Sequence, residues 1–126
     1  MKRIFVTICI LVCCVVASLA EARIVFSGEK THDFGTIKED GGAVSVEFPF
    51  VNDGDTPLVI ISATASCGCT QPKYPTEPIK PGKKGVIKVT YLPQGRPGEF
   101  DKLIKVRTNA KNGKKVSLKI TGVVVP

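Results

Sequence analysis

Apolar and polar residues alternate along much of this chain, and turn residues interrupt the alternation repeatedly. Side chains two positions apart in a strand project from the same face, so the alternation predicts strands with one buried side. No stretch of useful length has the period of a helix. The alternating apolar positions are Val44, Val46, Phe48 and Phe50 in one run and Ile87, Val89 and Tyr91 in another. The chain is therefore predicted to be all-β.

The last third of the sequence predicts a β-hairpin. Residues 100–108 and 115–124 both alternate, and the loop between them contains Asn109 and the turn pair Asn112-Gly113. The phase of the alternation directs one set of side chains into the core and the other set to solvent. Inward positions are Ile104, Val106, Val116, Leu118 and Ile120, and outward positions are Lys105, Arg107, Lys115 and Lys119.

Three other segments carry expectations about their place in a sheet. Pro49 has no N–H to donate, so its strand needs an edge position or a bulge at that point. Residues 58–61 are apolar throughout, which suits a strand covered on both faces or a central strand. The short apolar run at 24–26 suits an edge strand. A tight turn is expected at 80–83, which has proline and then glycine at its centre.

About seven short strands at this spacing, with no helix between them, indicate an immunoglobulin-like β-sandwich. The length of 126 residues allows one such domain. Phe34 and Ile37 are expected to contact its core.

The first twenty residues have the order of a secretory signal peptide. A basic start (1–3) precedes an apolar run (4–16), and small residues follow up to Ala20. Cleavage after Ala20 or after Ala22 fits this order, and the folded domain is expected over residues 23–126. The apolar run is shorter than the about 20 residues that a transmembrane helix needs. The mature protein is therefore predicted to be periplasmic or extracellular, without a membrane span.

Removal of the signal changes the cysteine count and the charge. Cys9, Cys13 and Cys14 are removed, which leaves only two cysteines, and the loss of two basic residues lowers the formal net charge from +7 to +5. A lipid anchor on Cys13 or Cys14 is the less favoured alternative. The residues before them are Val12 and Cys13 rather than Gly, Ala or Ser, and the apolar run continues past them.

The two cysteines that remain lie in the segment Ser66-Cys67-Gly68-Cys69-Thr70. In a strand the Cα atoms of Cys67 and Cys69 would be about 6.5 Å apart, at the upper limit for a disulfide. Gly68 allows the backbone to tighten, because it has no Cβ and accepts positive φ. One interpretation is therefore a local disulfide in an oxidising compartment, and the strain of so small a ring suits a redox role.

Two other interpretations of this pair are open. Thiolates at Cys67 and Cys69 can hold Cu(I), or contribute to a zinc site that two ligands leave incomplete. Alternatively, the pair is structural or idle, as two small semi-apolar side chains in a tight bend. The sequence favours the structural interpretation.

The sequence contains no recognisable catalytic set. His32 is the sole histidine, and no nucleophile or orienting carboxylate lies at a typical spacing from it. The loop with Asp53 and Asp55 lacks the ligand pattern of a calcium loop. The protein is therefore expected not to be an enzyme, apart from redox chemistry at the cysteine pair, and nucleic acid is not expected as a partner.

The outward cations of the hairpin, Lys105, Arg107, Lys115 and Lys119, form a weak basic patch. Such a face can contact anionic glycans or lipopolysaccharide. The favoured interpretation is protective, because lysines on exposed strands block pairing with other sheets.

Six short motifs follow one another along the chain. They are Asp33-Phe34-Gly35-Thr36-Ile37, Phe48-Pro49-Phe50-Val51-Asn52-Asp53-Gly54, Pro57-Leu58-Val59-Ile60, Ser66-Cys67-Gly68-Cys69-Thr70, Pro78-Ile79-Lys80-Pro81-Gly82 and Gly98-Glu99-Phe100. Together they resemble the bacterial family called domain of unknown function 1573. The resemblance covers nearly all of the mature chain. It implies an exported immunoglobulin-like domain related to the fold of pilus chaperones, and it implies no activity.

Two functional hypotheses follow. The first is a non-enzymatic binding or structural module of the cell envelope, whose partner is an unknown envelope protein or surface component. Such a partner can add a strand to a sheet edge. The second is a thiol-redox or Cu(I)-handling protein that uses Cys67 and Cys69. No other cofactor is expected.

Overall fold

The computed structural model describes residues 20–126, in which two four-stranded sheets form a sandwich. All but the last residue of the predicted signal peptide lies outside this range. The strands are β1 (Ile24–Phe26), β2 (Thr31–Lys38), β3 (Val44–Asn52), β4 (Ile60–Ala65), β5 (Thr70–Lys73), β6 (Lys84–Tyr91), β7 (Gly98–Thr108) and β8 (Lys115–Val125). One sheet has the order β1-β3-β6-β5 and the other the order β2-β8-β7-β4. Only the β2–β8 pair is parallel.

The architecture confirms the predicted all-β class, and residues 20–126 form eight strands instead of about seven. The run at 24–26 is an edge strand, as expected. The predicted hairpin corresponds to β7 and β8, which pair along most of their length. Within residues 20–126 there is no helix long and apolar enough to cross a bilayer.

One apolar core fills the space between the sheets. At its centre Tyr91 of β6 stacks on Phe100 of β7, with ring centroids 4.0 Å apart and an interplanar angle of 12°. The residues predicted to point inward are buried or packed against this core, and Phe34 and Ile37 contact it as expected. The fully or nearly buried ones are Phe48, Phe50, Ile87, Val89, Tyr91, Ile104, Val106, Leu118 and Ile120.

Two aromatic rings of the core lie over glycines of the neighbouring strand. Phe50 pairs with Gly85, and Phe100 pairs with Gly122. A Cβ on Gly85 would stand 2.5 Å from the ring of Phe50, and one on Gly122 would stand 2.6 Å from the ring of Phe100. Each glycine therefore provides the space that the opposite ring occupies.

The expectation for Pro49 is wrong as stated, because β3 is a central strand paired with both β1 and β6. The register between β3 and β6 runs through Pro49 without a bulge. The carbonyl of Pro49 accepts a hydrogen bond from the N–H of Ser27, 2.9 Å away. The backbone nitrogen of Pro49, which has no hydrogen to donate, faces the same side of β3. Strand β1 has already ended at Phe26. The proline therefore removes only the last bond of a very short ladder.

The expectation for residues 58–61 is also wrong. Strand β4 begins at Ile60 and is an edge strand, and the side chain of Ile61 is 55% exposed. A register shift between Ile60 and Ser62 marks a bulge at Ile61. Leu58 lies before the strand, where it is buried and exchanges two backbone hydrogen bonds with Ile79. The apolar run thus belongs to two elements, and a single strand does not account for it.

The motif at 33–37 forms a bulge in β2. Gly35 has a φ of 69°, which favours glycine, and the register with β8 shifts between Asp33 and Thr36. The carboxylate of Asp33 accepts the N–H of Gly35 at 2.8 Å, so the bulged backbone keeps a partner. Phe34 then packs near Phe100, with ring centroids 6.4 Å apart.

Asn52 fixes the loops that meet at one end of β3. Its side chain is fully buried. The amide nitrogen donates to the carbonyls of Thr56 (2.8 Å) and Ile79 (2.9 Å), and the amide oxygen accepts the N–H of Gly54 (2.9 Å). The turn at 80–83 lies beside it and has the predicted form, with Lys83 donating to the carbonyl of Lys80 and Gly82 at a φ of 78°.

Candidate functional site

The segment 66–70 connects β4 to β5 at one end of the sandwich. The N–H of Thr70 donates to the carbonyl of Cys67 at 3.1 Å, which closes a turn. Within the turn the sulfurs of Cys67 and Cys69 are joined in a disulfide, and their Cα atoms lie 5.2 Å apart. This is shorter than the spacing of an extended strand, so the chain tightens here.

Gly68 has a different role from the predicted one. Its φ is not positive, so the turn does not depend on the conformational freedom of glycine. Apart from the two neighbouring cysteines, a Cβ at this position would meet no atom within 4 Å. Neither a positive φ nor contact with more distant residues therefore requires glycine here.

The two cysteines differ in their surroundings. Cys69 is 2% exposed, whereas Cys67 is half-buried. The N–H of Cys69 points at the sulfur of Cys67, 3.1 Å away. The hydroxyl of the buried Thr70 lies 3.6 Å from the sulfur of Cys69. Cys67 is therefore the more accessible of the two cysteines, and Thr70 can donate a hydrogen bond to the sulfur of Cys69.

A depression of about 510 Å³ opens beside the disulfide. Three segments far apart in sequence line it, namely 39–43, 68–69 and 92–96. The N–H of Gly95 donates to the carboxylate of Glu39 at 3.0 Å, and the N–H of Leu92 donates to the carbonyl of Cys69 at 2.8 Å. The walls of the depression are thus bonded to each other, and its size is typical of sites for small ligands or single side chains.

The charges around the depression are of both signs. Glu39 and Asp40 lie on one segment, and Arg96 lies on another. Below the depression, burial raises the pKa of Tyr91, and the positive charge of Arg96 offsets part of this rise. Tyr91 is therefore neutral at physiological pH. None of these charged residues carries a sequence signal of its own, because only the fold brings them to the disulfide.

Two further residues considered as site candidates, His32 and Asp55, make contacts within the fold. The ring of His32 packs edge-on against Phe34, with centroids 4.7 Å apart. The carboxylate of Asp55 accepts the N–H of Glu21 at 2.6 Å. Among residues 20–126, no three His, Cys, Asp or Glu side chains are grouped as metal ligands. In the disulfide form Cys67 and Cys69 offer no thiolate, so Cu(I) binding requires their reduction.

The basic patch lies on the two central strands of its sheet. Strand β8 lies between β2 and β7, and β7 lies between β8 and β4. The favoured explanation from the sequence, protection of an exposed edge, therefore does not apply to these cations. All four point outward from the sheet as predicted: Lys105, Arg107, Lys115 and Lys119.

Within the patch, one cation is paired and three are not. Lys119 forms an ion pair with Asp101 at 3.2 Å. Lys105, Arg107 and Lys115 have no carboxylate within 4.0 Å among the residues that the structure describes. Arg107 lies directly opposite Lys115 in the ladder, an arrangement that costs stability. These three residues surround a shallow depression of about 450 Å³.

The sequence of residues 24–124 matches a family described as proteins of unknown function, DUF1573. The chain belongs to this family. The match confirms the resemblance that the sequence motifs indicate, and it assigns no activity. Among curated proteins, no sequence is significantly similar to the chain.

Solved structures show which folds this DUF1573 domain resembles. A protein of unknown function from Porphyromonas gingivalis W83 gives a TM-score of 0.73 at 19% identity, over 86% of this chain and 50% of that one. The ASH / PapD-like domain 7 of human CEP192 gives 0.62 at 13% identity, over 86% and 89%. The YadV chaperone gives 0.56 at 19% identity, over 82% and 52%.

At these identities the similarity concerns the fold alone. It confirms the immunoglobulin-like sandwich of the pilus-chaperone type. The chain spans half the length of the Porphyromonas protein.

Proposed function

We propose that this chain is an exported, non-enzymatic binding module of the cell envelope, and that its partner binds at the disulfide end of the sandwich. The observation that carries the proposal is the open space around Gly68. Neither a positive φ nor contact with residues beyond its two neighbours explains why this position is a glycine. Gly68 lines the depression and faces open space, so another chain can approach the depression at this point.

The other sequence motifs support a binding site at the disulfide end, because their residues already have structural roles in the fold. Asp33 and Gly35 build the bulge of β2, and Asn52 holds the loops around it. In the segment 66–70, by contrast, Ser66 and Gly68 are both exposed. Exposed loop residues without a structural role, such as these two, are more typical of recognition than of packing.

The chemistry of the depression suits a polypeptide partner. Glu39 and Asp40 can bind a basic side chain, Arg96 can bind an acidic one, and Leu92 offers an exposed apolar contact. A protein segment supplies all three kinds of group, whereas a polyanion supplies one. The partner is therefore proposed to be an envelope protein.

Site-specific photo-crosslinking in intact cells tests this proposal. A photoreactive residue at Gln94, which lines the depression, is compared with one at Val25, which is exposed on the edge strand β1. We expect a discrete crosslinked product from position 94 and not from position 25. The same pattern from both positions would remove the support for a binding site at the disulfide end.

A second candidate function is thiol–disulfide exchange, and the different exposure of the two cysteines favours it. A thiolate of a partner dithiol attacks the sulfur of Cys67. The bond between Cys67 and Cys69 breaks, a mixed disulfide forms at Cys67, and Cys69 leaves as a thiolate that takes the electron pair. The second thiol of the partner then displaces Cys67, which leaves a dithiol here and a disulfide in the partner.

Two measurements distinguish exchange from a purely structural disulfide. Protein isolated from the cell under acid quenching is expected to contain a measurable fraction of the dithiol form if exchange occurs. Reduced protein is also expected to bind Cu(I) if the pair handles metal, and to lose that binding when both cysteines are serine. A disulfide that stays fully oxidised in cells would leave the binding function as the sole candidate.

A further inference from the structure

The two residues that precede Arg23 are docked between two loops. Ala22 is 3% exposed. Its carbonyl accepts the N–H of Lys111 at 3.0 Å, and the carbonyl of Glu21 accepts the N–H of Asp55 at 3.0 Å. Residues 21–22 are therefore part of the folded domain, although the domain is expected from the sequence to start at residue 23.

The loop that receives these residues is shaped for them. A Cβ on Gly54 would collide with the carbonyl oxygen of Glu21, and it would lie 2.6 Å from the backbone nitrogen of Arg23. The carboxylate of Glu21 also contacts Arg23 (3.1 Å) and Lys111 (3.4 Å). Close backbone contact and two ion pairs thus hold the segment on the loop.

The backbone nitrogen of Glu21 donates to the carboxylate of Asp55 at 2.6 Å. In the uncleaved chain this donor is a neutral amide. Hydrolysis of the peptide bond between Ala20 and Glu21 adds one water, which leaves a carboxylate on Ala20 and an ammonium on Glu21. The bond to Asp55 then joins two opposite charges, and such bonds are stronger than neutral ones.

We infer that the leader is removed after Ala20, and that Asp55 binds the new ammonium group of Glu21. The inference rests on the export that the proposed function assumes. Cleavage after Ala22 would remove a buried side chain and both carbonyls that Asp55 and Lys111 use. It would also place the new ammonium 3.4 Å from the neutral amide oxygen of Asn52 in place of the carboxylate of Asp55.

The first test is the N-terminus of the exported protein. The full chain is expressed with its leader in a bacterial host, and the protein is isolated from outside the cytoplasm for N-terminal sequencing and intact mass. We expect Glu21 as the first residue. Arg23 as the first residue, a lipid on Cys13 or Cys14, or an intact leader overturns the inference.

The second test measures the ion pair directly. Purified chains that begin at Glu21 are prepared with a free or an acetylated N-terminus. Each of the two forms is made both with Asp55 and with the substitution Asp55→Asn. In the free chain we expect Asp55→Asn to lower Tm by about 2–6 °C, and in the acetylated chain by clearly less. Asp53→Asn, on an exposed neighbour with no bond to Glu21, is the matched control and should leave Tm unchanged in both. Equal effects of Asp55→Asn in the two chains contradict the charged pair.

These outcomes separate this inference from the proposed function. A chain that begins at Glu21 but gives no crosslink at position 94 supports the processing site and removes the binding proposal. A chain that begins at another residue but gives the crosslink at position 94 removes the processing inference and supports the binding proposal.

Discussion

The N–H of Cys69 points at the sulfur of Cys67 across the turn that their disulfide closes, at a distance of 3.1 Å. Cys69 is buried, lines the depression and has its sulfur 3.6 Å from the hydroxyl of Thr70, whereas Cys67 is half-buried. This difference is the basis of the chemistry proposed for the pair.

The two cysteines should therefore react at different rates when each is alone. In Cys69→Ser the remaining Cys67 is accessible, and in Cys67→Ser the remaining Cys69 is shielded, so we expect Cys67 to react at least about tenfold faster with a thiol reagent. Stopped assays with a chromogenic disulfide measure both rates. Unfolding in denaturant is the control, since it should make the two rates similar. Equal rates in the folded proteins would contradict the proposed order of attack.

Two glycines should respond in opposite ways to the addition of one methyl group. Gly68→Ala meets open space, so its free energy of unfolding should change by less than about 0.5 kcal/mol. Gly54→Ala collides with the backbone of residues 21–23, so we expect a loss of about 2 kcal/mol or more. Chemical denaturation of the chain that begins at Glu21 measures both. A strongly destabilised Gly68→Ala variant would show that glycine is required for folding there.

Removal of one cation from the basic patch should stabilise the protein. Lys115 lies opposite Arg107 with no carboxylate within 4.0 Å among residues 20–126, so Lys115→Thr should raise the free energy of unfolding by about 0.2–1 kcal/mol at low salt. The matched control is Lys119→Thr, which loses the ion pair with Asp101 and should be neutral or slightly destabilising. The difference between the two should shrink as salt is added. A loss of stability in Lys115→Thr would mean that the lysine has a structural role.

The buried amide of Asn52 should be among the most sensitive polar groups of the chain. Asn52→Ala leaves two carbonyls and two N–H groups without their buried side-chain partner, and we expect a loss of about 2–4 kcal/mol. Asn109→Ala is the control, because Asn109 also bonds two backbone groups but is exposed, so water can replace it. Equal losses in the two variants would contradict this dependence on burial.

The sequence predicts those parts of the fold that depend on local pattern. Alternation identified the inward faces of β3, β6, β7 and β8, because a period of two records which side of a strand is buried. It did not distinguish a central strand from an edge strand at residues 58–61, since an apolar run is equally compatible with a buried loop and a bulge. Local pattern also did not predict that Pro49 lies in a central strand, because this is possible only where the neighbouring strand β1 ends.

Only part of the candidate site could be predicted, because local pattern does not show which distant residues the fold brings together. The pair Cys67 and Cys69 is a sequence motif, and it identifies the turn that the disulfide closes. The depression beside it is built by Glu39 and Arg96, which are distant in sequence and belong to no motif of their own. The meaning of the basic patch likewise changed once the sheet order placed Lys105 and Lys115 on central strands.

The most direct test of the central claim is a comparison of Gly68→Phe with Gly68→Ala in the crosslinking experiment at Gln94. Both side chains enter open space at Gly68, but only phenylalanine is large enough to obstruct the depression. If a partner binds at the disulfide end, Gly68→Phe should abolish the crosslinked product at equal protein level, and Gly68→Ala should retain it. A product of equal intensity in both variants would contradict the claim that this end of the sandwich is the binding site.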